Sequence, residues 1–197
     1  LETAAGSGVV TRALAPLLAN DARFVVSDLN PPMLERAKKR QPDDVRIHWQ
    51  QADALALPFE TDQFDVVACQ FGAMFFPDKP KGYAEARRVL RPGGRFVFNM
   101  WDGIQHNEFA DVVTRVAGQL LPDDPPVFLA RTPHGHHDTD QIRKDLLAAG
   151  FTEIDIETVT ETSIAATASG PAIAYAQGTP LRNEIEKHGA EMLAAVT

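Results

Sequence analysis

The sequence predicts an α/β protein with a doubly wound, mostly parallel sheet. Short apolar stretches alternate with helical patterns over the first 102 residues, as parallel strands alternate with their crossover helices. The apolar stretches are rich in Val, Ile or Phe and are bounded by turn residues, so we expect buried strands. The run Arg91-Pro92-Gly93-Gly94 ends a helical pattern and turns the chain into the next strand.

The elements follow in chain order. Strands are predicted over residues 23–28, 45–50, 64–69 and 95–101. The helices between them are predicted over residues 9–19, 32–40 and 81–90, the second with proline in its first turn. The chain has no initiator Met and its first residues resemble the end of a strand, so we expect a truncated first strand that begins upstream.

The alternation stops near residue 102. The later segments are an insert after the fifth strand over 103–137 with a helix at 108–121, a helix over 139–149, an edge strand over 152–159, and a helical tail broken at 178–180. We interpret residues 1–197 as one domain, with 138–160 returning to the sheet and 161–197 forming a tail or cap.

Composition excludes several classes of protein. A net charge of −8 disfavours nucleic acid as a partner. The single cysteine, Cys69, excludes an intrachain disulfide framework and a zinc site with several thiolates, and it fits a reducing cytoplasm. The sequence shows neither an apolar run of about 18 residues nor a signal peptide at its start, so we expect a cytoplasmic protein without a membrane span.

A glycine-rich turn and a distant acid form the strongest local pattern. Gly6 and Gly8 stand where a strand passes into a helix, so positive φ angles and close approach of a ligand to the backbone are allowed. Asp28 lies 20 residues after Gly8, at the end of the next predicted strand, where an acid can accept both ribose hydroxyls. The alternatives are a plain tight corner for the glycines and an N-cap role for Asp28.

The pattern favours a nucleoside ligand without phosphates. The sixth position of a G-x-G-x-x-G fingerprint is Val9 when counted from Ala4 and Thr11 when counted from Gly6, which disfavours nicotinamide dinucleotides. The sequence also lacks a G-x-x-x-x-G-K-[ST] motif and a lysine near the turn, which disfavours ATP and GTP.

Five ordered motifs resemble those of class I S-adenosylmethionine-dependent methyltransferases, closest to the small-molecule branch that includes the quinone-biosynthesis enzymes. They span residues 1 to about 101. The motifs are Leu1-Glu2-Thr3-Ala4-Ala5-Gly6-Ser7-Gly8, Asp28-Leu29-Asn30-Pro31-Pro32-Met33-Leu34, Gln51-Ala52-Asp53-Ala54-Leu55-Ala56-Leu57-Pro58-Phe59, Phe64-Asp65-Val66-Val67 and Arg88-Val89-Leu90-Arg91-Pro92-Gly93-Gly94-Arg95-Phe96. Ala4 departs from the family, which often has glycine there.

The resemblance implies a Rossmann-like methyltransferase fold and S-adenosylmethionine as the cofactor, bound within residues 1–102. By position, Glu2 faces the methionine amino group through water, Gly6 and Gly8 pass under the methionine moiety, and Asp28 holds the ribose. Leu29 and Met33 pack against adenine, and Asp53 accepts from its exocyclic amine. The Gln70-Phe71 segment borders the sulfonium. The implied cofactor-binding residues are Glu2, Ala4, Gly6, Ser7, Gly8, Asp28, Leu29, Met33, Asp53, Ala54, Gln70 and Phe71.

The predicted reaction is methyl transfer to a small organic acceptor by in-line displacement. The alternatives are a non-catalytic module that binds S-adenosylmethionine as a sensor or assembly partner, and a less favoured NAD-dependent oxidoreductase. No catalytic residue is assigned: His106, His134, His136 and His137 are candidates for a general base, but solvated loop histidines are the simpler interpretation. We predict no metal site. The acceptor, the oligomeric state and the pathway stay open, and the insert and the tail are the segments from which a lid would come.

Overall fold

The computed structural model describes the backbone of residues 1–197 and every side chain except that of Ala190. The strands are β1 (Phe24–Asp28), β2 (Ile47–Gln51), β3 (Phe64–Gln70) and β4 (Leu90–Asn99). The helices are α1 (Val9–Leu14), α2 (Pro31–Arg40), α3 (Lys79–Val89), α4 (Glu108–Leu120), α5 (Phe128–Arg131), α6 (Thr139–Ala148), α7 (Ser169–Gly178), α8 (Leu181–Glu186) and α9 (Ala190–Val196).

The chain divides into two compact units. The strand unit comprises Leu1–Met100 and Asp140–Ile154, and the helical unit comprises Trp101–Thr139 and Asp155–Thr197. The strand unit therefore contains the predicted 1–102 segment almost entirely, together with most of the helix predicted over 139–149. The lid role of the insert and the tail stays a prediction.

The strands of the strand unit run parallel. β1 pairs with β2, and β3 pairs with β4. Residues 1–3 lie between the two pairs, because the amide of Glu2 donates to Val25 O and that of Thr3 donates to Ala68 O, each at 2.8 Å. The spatial order is β2, β1, residues 1–3, β3, β4. The strand order therefore reverses beside residues 1–3, where open α/β sheets bind their ligands.

Apolar side chains cover both faces of these strands. Successive residues of a strand point to opposite faces, so Val25 and Val26 belong to different clusters. Val25 packs in the cluster that includes Val67 and Val89, whereas Val26 packs in a cluster that includes Ala15 and Ile47. The side chain of Phe151 stacks on Phe96 with ring centroids 5.8 Å apart, which attaches the chain after α6 to this unit.

The strand predicted over 152–159 is not found, since the described residues 149–165 contain no assigned strand. Ile154 and Ile156 are half-buried between exposed neighbours, so the alternation of the sequence is real. Alternation selects a face but supplies no hydrogen-bonding partner, and a strand needs both.

β4 also differs from the prediction, because it begins at Leu90 rather than Arg95. Its pairing with β3 shifts between Phe64↔Leu90 and Val66↔Arg95, so the Pro-Gly-Gly run forms a bulge inside the strand.

The helical unit has its own core. Buried residues of α4, α5, α7, α8 and α9 form one apolar cluster, with Leu181 and Ile185 fully buried at its centre. Glu184 on α8 anchors the start of α5: its Oε2 accepts from the amides of Val127 and Phe128 at 2.8 and 2.9 Å. Among the described helices, none is both long and apolar enough to span a membrane.

Candidate cofactor site

The turn between residues 3 and 9 has an unusual backbone. Ala4, Gly6 and Gly8 all adopt positive φ angles, of 51°, 55° and 73°. A Cβ atom added at Gly8 would lie 2.9 Å from the Cβ of Ala37 on α2, so this position has room only for glycine. The positive φ angles expected at Gly6 and Gly8 are confirmed, and the turn is held against α2 immediately before α1 begins.

Asp28, at the carboxyl end of β1, holds this turn. Its Oδ2 accepts from the amide of Gly6 at 2.8 Å, and its Oδ1 accepts from the amide of Asn30 at 2.8 Å. The half-buried carboxylate retains lone pairs on both oxygens, because a carboxylate offers about four acceptor positions. It can therefore hold the turn and still accept from two neighbouring hydroxyls. The N-cap alternative does not apply, since the N-cap of α2 is Asn30 and Asp28 lies two residues earlier.

Glu2 is a buried acid at the base of the same turn. Its side chain is 2% exposed, and its Oε2 accepts from the hydroxyl of Thr11 on α1 at 2.6 Å. Desolvation raises the pKa of Glu2 to about 7, although the hydroxyl of Thr11 acts in the opposite direction. Near neutral pH this carboxyl group can thus hold or release a proton.

The residues implied for adenine follow β1 and β2. The Cε of Met33 would lie 3.8 Å from a Cβ added at Gly6, so the Met33 side chain lies beside the turn. Leu29 is 63% exposed. Asp53 is exposed and its Oδ1 accepts from the amide of Leu55 at 2.9 Å, while Ala54 is half-buried. The amide of Ala52 donates to Asp28 O at 3.1 Å, which joins this segment to the end of β1.

Gln70 and Phe71 lie at the carboxyl end of β3. Phe71 has a φ angle of 49°, a rare conformation for a bulky residue. Its amide faces the last residue of β4, Asn99, whose Oδ1 lies 3.1 Å away and whose backbone oxygen lies 3.2 Å away. The structure therefore holds Phe71 in a costly conformation at the strand ends, as is common at functional sites.

Gly72 interlocks with Ala4. A Cβ atom at Gly72 would lie 2.5 Å from the Cβ of Ala4 and 2.8 Å from the Sγ of Cys69. The methyl group of Ala4 thus occupies the space beside Gly72. The absence of a side chain at Gly72 leaves room for alanine at position 4, where the family often has glycine.

Four residues of this site were not singled out from the sequence. Arg12 donates from Nη1 to the backbone oxygen of Ser7 at 2.8 Å. The others are described above: Thr11 on Glu2, Asn99 on Phe71, and Gly72 against Ala4. Each acts through a contact between residues distant in sequence or through the backbone, which a local motif does not reveal.

Known proteins resemble this chain in sequence and in fold. Residues 1–98 match the methyltransferase domain family. Residues 1–98 belong to the class I S-adenosylmethionine-dependent methyltransferases. The chain is 29% identical, over 177 residues, to ubiquinone/menaquinone biosynthesis C-methyltransferases from Shewanella sp. strain W3-18-1 and from Shewanella oneidensis. The alignment covers 84% of this chain and 70% of each relative.

Solved structures of methyltransferases share the fold. A crystal structure described as a putative methyltransferase from Bacillus halodurans gives a TM-score of 0.58 at 25% identity, covering 76% of this chain. Our chain spans only 61% of the length of that protein. The YcgJ protein from Bacillus subtilis gives a TM-score of 0.61 at 20% identity and covers 98% of this chain and 79% of its own, which supports the Rossmann-like fold alone.

The residues of this methyltransferase domain fit S-adenosylmethionine, the cofactor of the family. The turn offers positive-φ backbone, Asp28 offers acceptors for ribose hydroxyls, and Asp53 offers an acceptor for an amine. Acids dominate this set of side chains, which suits a ligand that carries hydroxyls and amines rather than phosphates.

The candidate histidines lie in the helical unit. His134 is 3% exposed, and its Nδ1 lies 2.8 Å from Asp102 O. Burial lowers the pKa of His134, so the neutral imidazole is favoured. His106 and His137 are exposed, and His136 is half-buried. Within the residues that the structure describes, no group of three or more His, Cys, Asp or Glu side chains is arranged to hold a metal ion.

Proposed function

We propose that this protein transfers the methyl group of S-adenosylmethionine to a small organic acceptor. The observation that carries the proposal is the hydrogen bond from the Gly6 amide to Asp28 Oδ2 at 2.8 Å, at the point where the strand order of the sheet reverses. This arrangement joins a backbone turn that a ligand can approach closely to an acid that can hold a ribose. The family match of residues 1–98 supports the same conclusion.

The proposed roles follow the chemistry of each side chain. Asp28 accepts from the two ribose hydroxyls, and Asp53 accepts from the exocyclic amine of adenine with the amide of Ala54 nearby. Leu29 and Met33 provide apolar contacts for the purine. Glu2 lies below the turn and faces the methionine amino group through water.

The remaining proposed site residues surround the reacting end of the cofactor. The backbone at Ala4, Gly6, Ser7 and Gly8 passes under the methionine moiety, and Gln70 and Phe71 border the sulfonium. The cofactor supplies an activated methyl group whose displacement leaves the bonding electron pair on sulfur. The protein therefore contributes mainly alignment and exclusion of water.

We further propose a carbon atom of a quinol-type ring as the acceptor. The relatives from Shewanella are named as ubiquinone/menaquinone biosynthesis C-methyltransferases. Phe71 is half-buried and Phe75 is 50% exposed after β3, so both can contact an apolar ring. Met74 and Phe76 are buried and belong to the core instead. The net charge of −8 supports a small-molecule acceptor rather than nucleic acid, and we propose a cytoplasmic location.

The test combines calorimetry with a turnover assay. We expect S-adenosylhomocysteine to bind and NAD not to bind. Release of S-adenosylhomocysteine should be measured with benzoquinols and naphthoquinols that lack a ring methyl group, and with phenols and amines as controls. Binding without turnover on any acceptor would favour the sensor module, turnover on amines alone would overturn the ring-carbon acceptor, and absence of binding would overturn the proposal.

A further inference from the structure

The loop that follows β2, residues 52–59, is held by an ion pair on α3. Arg88 and Glu85 form a forked pair, with Nε to Oε1 and Nη2 to Oε2 both at 2.8 Å. The same guanidinium donates from Nη1 to Phe59 O at 2.7 Å and from Nη2 to Leu57 O at 2.8 Å. Arg88 therefore fixes two backbone oxygens of the loop at once.

Glu85 completes this attachment. Its Oε2 accepts from the amide of Leu57 at 2.8 Å, so both backbone polar groups of Leu57 are bonded to the pair. The side chain of Leu57 is 5% exposed and packs in the apolar cluster with Val25 and Val67. The guanidinium of Arg88 also lowers the pKa of Glu85, which keeps the carboxylate charged for both of its roles.

Asp53 lies between this attachment and a second one. On its amino side, the amide of Ala52 donates to Asp28 O at 3.1 Å. On its carboxyl side, the turn closes through Asp53 itself, since the amide of Ala56 donates to Asp53 O at 3.0 Å immediately before Leu57. The position of the exposed Asp53 carboxylate thus depends on bonds at both ends of a short turn.

We infer that Arg88 and Glu85 are positioning residues for adenine recognition, acting through Leu57 and Phe59 on Asp53. The inference rests on the proposed function, in which Asp53 accepts from the exocyclic amine. Neither residue of the pair needs to touch the cofactor. A loop with one end released places the Asp53 carboxylate less accurately, and a hydrogen bond to a ligand is sensitive to such displacement.

Arg91 provides a matched control for Arg88. It lies three residues later, and its Nη1 donates to Asp65 Oδ1 at 2.7 Å in an exposed pair whose side chains are 54% and 79% exposed. Exposed pairs of this kind contribute little to stability. An Arg91→Met change therefore removes an arginine and an ion pair without touching residues 52–59.

The experiment compares two ligands by calorimetry: S-adenosylhomocysteine and its deaminated analogue, in which a ring carbonyl replaces the exocyclic amine. Since the ring carbonyl cannot donate to the Asp53 carboxylate, we expect the wild type to prefer S-adenosylhomocysteine about a hundredfold, the effect of one hydrogen bond to a charged group. Arg88→Met should reduce this preference to about tenfold or less, since misplacing one hydrogen bond to a charged group has an effect of that order. Arg88→Lys should be intermediate, and Arg91→Met should keep the wild-type preference.

The outcomes separate this inference from the proposed function. An unchanged preference in Arg88→Met, or an equal loss of affinity for both ligands, would overturn the positioning role while the methyltransferase assignment stands. A wild-type preference retained in Asp53→Ala, which has no side-chain acceptor, would show that Asp53 does not recognise the amine, which also overturns it. If the wild type binds neither ligand, the proposed function itself fails. Should Arg88→Met not fold, Arg88→Lys and Glu85→Gln carry the same comparison.

Discussion

The carboxylate of Asp28 accepts a hydrogen bond from the amide of Gly6 at 2.8 Å, although the two residues are 22 positions apart in the sequence. The bond joins the end of β1 to the positive-φ turn that precedes α1, so the proposed ribose acceptor also shapes the backbone that we propose lies under the methionine moiety. Two functions expected of separate residues thus meet in one side chain. Loss of Asp28 should affect both the conformation of the turn and the recognition of the sugar.

We predict that Asp28→Ala weakens binding of S-adenosylhomocysteine by at least about a hundredfold. The change removes the acceptors for the ribose hydroxyls and for the amides of Gly6 and Asn30. Two or more hydrogen bonds to a charged group account for an effect of this size. Isothermal titration calorimetry measures it directly. Asp21→Ala is the matched control, because Asp21 is exposed ahead of β1 and should leave the affinity as in the wild type.

A pH dependence of stability is expected from Glu2. Its pKa in the folded protein, about 7, lies above the ordinary value of 4.5 because of burial. The stabilising contribution of the protonated form is complete below about pH 4.5 and is lost as the pH rises through about 7. Glu2→Gln keeps an acceptor for Thr11 but cannot ionise. Urea denaturation from pH 4.5 to 8 should therefore show Glu2→Gln gaining up to about 3 kcal/mol relative to the wild type.

A matched pair of threonine variants tests the partner of Glu2. Thr11→Val removes the hydroxyl that lowers the pKa of Glu2, so the pKa of Glu2 should rise. The midpoint of the pH-dependent loss of stability should therefore move to a higher pH. Thr114→Val removes a hydroxyl that donates only to the backbone oxygen of Ala110 and should leave the pH profile unchanged. A flat difference between Glu2→Gln and the wild type would contradict both expectations.

His134 should give the opposite pH dependence. Burial lowers its pKa below the ordinary 6.5, so its stabilising contribution is present above about pH 6.5 and is lost as the pH falls through the lowered value. His134→Gln should remove this loss while keeping a donor for Asp102 O, which lies 2.8 Å from Nδ1. Hydrogen exchange of residues 127–134 between pH 5 and 7.5 measures this pH-dependent change in local stability. His106→Gln, at an exposed position, is the control, and equal profiles for the two variants would rule the effect out.

The sequence predicts the strand unit well because its signals are local. Glycines at a strand-to-helix turn and an acid at the end of the next strand depend on residue type and spacing, so Gly6, Gly8 and Asp28 could be identified without coordinates. The parallel order of β1 to β4 follows from the alternation of apolar stretches and helical patterns. The cofactor roles of these residues stay predictions until binding is measured.

The remaining features depend on contacts that the sequence does not encode locally. Thr11 and Asn99 become important only because folding brings them to Glu2 and Phe71. Gly72 resembles an ordinary turn residue until the Cβ of Ala4 is found beside it. The strand predicted over 152–159 is an opposite case, in which the sequence predicts a feature that the structure lacks. The alternation of apolar and polar residues is clear, but strand pairing depends on a neighbouring strand.

The contact between Ala4 and Gly72 predicts that a substitution at one position can restore stability lost by a substitution at the other. Gly72→Ala places a Cβ 2.5 Å from the Cβ of Ala4 and should destabilise the fold by about 1–3 kcal/mol, the usual cost of overpacking. Ala4→Gly should be neutral or stabilising by up to about 1 kcal/mol, because Ala4 has a φ angle of 51°, which glycine adopts without strain.

The double variant decides whether the two positions act together. Ala4→Gly removes the nearer of the two clashes, so it should recover part of the stability lost in Gly72→Ala, with the Sγ of Cys69 at 2.8 Å accounting for the rest. Urea denaturation of the four proteins of the cycle gives the coupling free energy. Gly170→Ala is the control, since a Cβ there meets open space. A coupling free energy close to zero would mean that the turn at residues 4–8 shifts to accommodate a Cβ at position 72. The contact with Gly72 would then not fix the backbone of the turn.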